Sequence, residues 1–121
     1  MCLIIKRGYK NSRKAEKNIR VYKVVELHRG LIISYYTQFV YELGKIYRTH
    51  FSYDSAWKVQ QGFHAYVSIQ DTRAYQRTNY AGYTRIVSCI IPKGTLYHLG
   101  ERSDIVAEAI KIERVLLDEP F

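Results

Sequence analysis

The chain has 121 residues, 47% of them hydrophobic, and only two prolines, which is enough to bury one core and excludes an intrinsically disordered or low-complexity protein. No apolar run approaches the ~18 residues that cross a bilayer, and the opening Met1 to Ile5 meets Lys6 and Arg7 too soon to be a secretory core, so one cytoplasmic domain over residues 1–121 is expected. The net charge of +8 is uneven: residues 1–23 carry Lys6, Arg7, Lys10, Arg13, Lys14, Lys17, Arg20 and Lys23 against Glu16 alone, whereas the last 21 residues are acidic by three. A field of this kind concentrates anions, so nucleotides, nucleic acid and anionic surfaces are the partner classes to weigh. The plain alternative is a solvated basic loop that aids solubility.

In chain order, Leu3 to Lys6 reads as a short strand and residues 8–18 as a polar, basic loop or frayed helix, the core of a basic segment at about 6–18. Ile19 to Glu26 alternates apolar and polar side chains, as a half-buried strand does, and Arg29-Gly30 turns it into Leu31 to Tyr36. Phe39 to Leu43 and Lys45 to Arg48 are extended around Gly44, and residues 50–61 read as a polar, aromatic loop around Trp57. Gly62 to Ser68 reads as a strand running into a helix over Ile69 to Gln76, with Ser68 and Asp71 at capping-box spacing. Arg85 to Ile91 is β-branched and ends at the Pro92-Lys93-Gly94-Thr95 turn. Leu96 to Leu99 is short and extended, and Val106 to Leu117 is a strand in its later half. The expected fold class is α+β: mostly antiparallel β with one or two short helices.

Twelve tyrosines are present, several beside cations, as in Tyr22-Lys23, Tyr47-Arg48 and Arg73-Ala74-Tyr75. A phenol ring stacks on a base while neighbouring Lys or Arg neutralises phosphate, which suits nucleotide recognition; tyrosine is also an ordinary sheet residue. Tyr22, Lys23, Tyr47, Arg48, Phe63, His64, Tyr66 and Arg73 are the candidate ligand-binding residues. Of the four histidines, His64 stands beside Gly62 on a strand just before a helix N-terminus, where an imidazole can serve as acid, base or phosphate donor, or simply as a hydrogen-bonded structural group. His64 is the catalytic candidate if the protein is an enzyme. His50-Phe51-Ser52 has the His-x-Ser form of paired-histidine phosphodiesterases, a chemistry that needs two such tripeptides where this chain has one. Cys2 and Cys89 lie in apolar runs and read as buried free thiols. The scattered histidines and cysteines give no metal spacing, and no phosphate-cradling glycine loop is present, so neither metal nor cofactor is expected.

Val21-Tyr22-Lys23, Tyr41-Glu42-Leu43-Gly44-Lys45-Ile46-Tyr47, Gly62-Phe63-His64-Ala65 and Cys89-Ile90-Ile91-Pro92-Lys93-Gly94-Thr95 together resemble an uncharacterised family of small domains common in bacteriophages and gut bacteria. The resemblance spans most of residues 19–113 and implies a phage or prophage origin, in a host bacterial cytosol. The order of elements is also distantly similar to the ADP-ribosyltransferase fold. That likeness implies Lys23, Phe63-His64 and Glu108 or Glu113 as counterparts of its first strand, middle strand and catalytic glutamate, although Tyr22-Lys23 stands where Arg or His is expected. By analogy with small phage proteins that counter bacterial immunity, the leading expectation is capture of a small anionic nucleotide signal, such as a cyclic dinucleotide or ADP-ribose derivative. The rivals are a phosphodiesterase or ADP-ribosyltransferase-like enzyme on the same pocket, and a nucleic-acid or protein-binding module, with self-association compatible with each.

Overall fold

The computed structural model describes residues 3–7, 11–34, 39–79 and 84–116. Two short strands, β1 (Leu3–Ile4) and β2 (Arg13–Lys14), precede the long β3 (Ile19–His28). Then come β4 (Leu31–Ser34), β5 (Val40–Tyr41), β6 (Ile46–Arg48), β7 (Ser52–Ser55), β8 (Lys58–Gln61) and β9 (Phe63–Tyr66). The one helix among the described residues, α1 (Ile69–Asn79), leads to β10 (Thr84–Ile91), β11 (Leu96–Leu99), β12 (Asp104–Ala107) and β13 (Ala109–Val115). Every strand pairing among the described residues is antiparallel, so the fold is mostly antiparallel β with a single short helix.

The main sheet runs β2-β11-β12-β9-β3-β10-β13-β6, with β4 on β3 and β5 on β4; β1, β8 and β7 form a separate three-stranded sheet. The period of two in β3 puts Val21 and Val25 on one face, both fully buried, and Cys89 and Val87 of β10 stand opposite Val21 and Lys23 on that face. Ile110 and Ile112 of β13 and Ile105 and Ala107 of β12 complete the principal core. A smaller core of Leu3, Ile5, Val59 and Val106, with Phe51 against it, joins the three-stranded sheet to the far face of β12. Helix α1 packs mainly on β3. Ser68 caps it, its Oγ accepting from the Asp71 N–H at 3.3 Å, as the spacing predicts.

The feature that shapes the molecule is a fork at β3. One edge pairs with β10 along its length, from Ile19↔Ile91 to Glu26↔Thr84. The other edge is shared: Tyr22 meets Tyr66 of β9, while Val25 to His28 pair with Ser34 to Leu31 of β4. Between them, Lys23 and Val24 have no strand partner on that edge among the described residues. β9 and β4 therefore diverge from a common strand.

Three segments differ from the sequence reading. Residues 50–61 are a β7/β8 hairpin rather than a loop, because Val59 alone is apolar and inward while its neighbours are polar and outward, too short an alternation to stand out. Of residues 8–18, those described are a loop apart from Arg13–Lys14, which pair with Tyr97 and Leu96, and the loop is anchored at Ala15, 3% exposed and held by Ala15 N–H to Thr95 O and Gly94 N–H to Ala15 O, both 2.8 Å. The final region is two strands broken at Glu108. Tyr35, Tyr36 and Leu117, included in expected strands, and Cys2, expected as a buried thiol, lie outside the described residues. No helix among the described residues is long and apolar enough to cross a membrane.

Candidate functional site

The fork opens as a cavity of about 430 Å³, within the usual range for small-molecule sites. Because β9 leaves β3 at the fork, both of its faces reach this space: Phe63 and Ala65 from the core side, His64 and Tyr66 from the other. β3 contributes Lys23 and Val24, the β4–β6 limb contributes Ser34, Phe39, Tyr41, Tyr47 and Arg48, β8 brings Gln60 and Gln61, and α1 presents Tyr75.

Lys23 is the chemical centre. It stands in the row of Val21 and Val25, a place the alternation assigns to an apolar side chain. Its Nζ donates across the fork to the His64 carbonyl oxygen. Burial lowers the affinity of this amine for its proton, against a smaller raising effect from Cys89. No Asp or Glu is among the described residues that line the cavity. Glu113 bonds Ser88 and Arg20, and the Glu108 carboxylate accepts from the Phe51 N–H at 2.8 Å; neither lines the cavity.

The imidazole of His64 is driven down to about 4, first by burial and second by the charge of Lys23, so it is neutral at pH 7. Its Nε2–H donates to the Gln60 carbonyl at 3.4 Å, because a carbonyl can only accept, and Nδ1 is left with the lone pair.

The walls are aromatic. Phe39, Tyr41 and Tyr47 meet edge to face, with centroids 5.0 to 5.2 Å apart, and Tyr41 approaches Phe63 at 6.5 Å. Tyr66 and Tyr75 pair at 5.4 Å on the helix side. Tyr41 is held protonated by burial and bonds Ser34, while the Tyr47 hydroxyl accepts from the Glu42 N–H at 2.8 Å.

Of the eight residues singled out in the sequence, Lys23, Tyr47, Arg48, Phe63, His64 and Tyr66 come together here. Tyr22 lies opposite Tyr66 and Arg73 lies on α1, both outside the lining. His50 is 97% exposed at its side chain, 3.7 Å from Glu108, and belongs to no pocket wall. Sequence reading passed over Ser34, Phe39, Tyr41, Gln60, Gln61 and Tyr75. Tyr41 next to Glu42 and Tyr75 two residues after Arg73 carry the same aromatic-and-charge signal, whereas Gln60 and Gln61 stand in the segment that reads as a loop. No group of three or more His, Cys, Asp or Glu side chains forms a metal-binding cluster among the described residues. No family model, curated protein or solved structure matches the chain.

Proposed function

We propose that the fork cavity binds a small phosphate-bearing nucleotide and retains it without turnover. The observation that carries this reading is Lys23, half-buried in the wall of a largely apolar and aromatic cavity with no carboxylate among its described lining residues. Burying a cationic group without a counter-ion is costly, and an incoming anion relieves that cost. Arg48 at the exposed mouth adds a second positive group, and the tyrosine and phenylalanine rings offer faces and edges to a base. Sequestering a bacterial immune signal is the role that follows from the phage-type resemblance.

The test is incubation with a panel of cyclic and linear nucleotides, removal of free ligand, heat release and chromatography. Intact ligand is expected in stoichiometric amount; no retained nucleotide from any member of the panel sinks the proposal. Base stacking contributes roughly 1–3 kcal/mol, so Tyr47→Ala is expected to weaken binding by about tenfold or more and Tyr47→Phe far less. The enzymatic rival uses His64 Nδ1 as base. It gains the upper hand only if the parent turns over ligand repeatedly and His64→Ala does not.

A further inference from the structure

Resting on the reading that the cavity takes a nucleotide, we infer that it captures a nucleotide with a free reducing sugar covalently, the Lys23 amine condensing with the open-chain aldehyde. Lys23 carries the one primary amine among the described lining residues. Lys23 stands in the strand row between Val21 and Val25 and opposite Val87, three residues at 0% exposure, and its nitrogen donates at the fork to the His64 carbonyl. A neutral amine that donates one N–H to that carbonyl still has its lone pair for the cavity. Burial disfavours the ammonium and no carboxylate among the described lining residues holds it, so the neutral fraction of this amine is larger than that of a surface lysine.

The step balances without any oxidant. The nitrogen lone pair attacks the aldehyde carbon, forming a C–N bond as the carbonyl π bond opens to oxygen. A proton moves from nitrogen to that oxygen, giving a carbinolamine. The hydroxyl then takes a further proton and leaves as water, and loss of the remaining N–H proton gives the neutral imine. The neutral imidazole of His64, on the same cavity wall, is placed to carry protons in these transfers. Arg48 then holds the phosphates, and Lys23 the sugar end.

The probe is ADP-ribose, whose terminal ribose opens to an aldehyde, with sodium cyanoborohydride to reduce the imine to a stable secondary amine. ADP is the comparison without an aldehyde, and glyceraldehyde 3-phosphate is an anionic aldehyde without a base. With the full chain at pH 7, peptide mapping is expected to find a single ADP-ribose adduct on Lys23. Its rate should exceed that at the surface lysines Lys14, Lys17 and Lys45 by at least tenfold. Lys23→Arg is expected to lose the adduct, since a guanidinium forms no imine under these conditions. ADP-ribose that binds but leaves Lys23 unmodified, or labels it no faster than the surface lysines, overturns this inference and leaves nucleotide binding standing. Selective labelling of Lys23 by glyceraldehyde 3-phosphate, with no binding of ADP or ADP-ribose, keeps the reactive amine and overturns capture of a nucleotide through its sugar. If none of the three ligands binds or labels, this inference falls, and the nucleotide reading falls with it when the cyclic and linear panel is not retained either.

Discussion

A cationic residue in a row of valines is a contradiction at the level of one side chain, and in this protein it is answered by the cavity beside it. The same burial acts on His64 and makes a measurable link between pH and stability. His64 is held near 4 in the folded chain against 6.5 when exposed. The unfolded state therefore binds a proton that the folded state refuses, and this difference lowers stability as pH falls from about 6.5 to about 4. The loss is on the order of 3 kcal/mol at most, since one pKa unit corresponds to roughly 1.4 kcal/mol. Urea unfolding at pH 7 and pH 4.5 is expected to give a larger stability difference for the parent than for His64→Gln. Equal differences would mean that the imidazole titrates as it does in water.

Between the elements, Gly62 decides whether β8 and β9 can follow one another. Its φ is +151°, and a Cβ there would lie 2.4 Å from Val106 Cγ2 and 3.2 Å from Phe51 Cδ1. Gly62→Ala is expected to cost about 2–3 kcal/mol through strain and overpacking. Adding Val106→Ala removes the blocking methyl, so the double variant should be more stable than the sum of the two single losses predicts. A strictly additive cycle in chemical denaturation would show that the clash is relieved elsewhere. The long strands are legible for two reasons: Ile19 to Glu26 alternates over eight residues, and Arg85 to Ile91 is a β-branched run of seven closed by a Pro-Gly turn. β2, with two residues, and β8, with one inward side chain, carry no periodicity to read. The six site residues brought together from the sequence list were found by chemistry, as cations and aromatics side by side. The fork was not legible, since nothing in Tyr22-Lys23-Val24-Val25 states that its outer edge changes partner halfway.

Taken whole, the molecule joins a cavity between diverging limbs to an exposed basic edge. A ligand that binds only the folded form stabilises it by about 2.7 kcal/mol at a concentration 100 times its Kd. The nucleotide retained by the parent is therefore expected to raise its melting temperature by several degrees and to leave Lys23→Met unmoved; an equal rise in both would place the binding site elsewhere. Arg13 and Lys14 on β2, with Lys17 nearby, are exposed on the opposite flank of the sheet order from β6, an arrangement suited to a polyanion. Neutralising all three should flatten the salt dependence of binding to single-stranded nucleic acid, because each phosphate contact releases counter-ions. An unchanged slope would assign those charges to solubility alone. The buried thiol offers a clock for the whole sheet. Cys89 is 0% exposed opposite Val21, and its pKa is pushed up to about 12 by burial. A thiol reagent meets both a physical cover and a protonated sulfur, so it reacts at the frequency with which β10 peels from β3. Alkylation by iodoacetamide, mapped to separate Cys89 from Cys2, thus records openings of the ladder that joins β10 to the strand carrying Lys23, one irreversible event at a time.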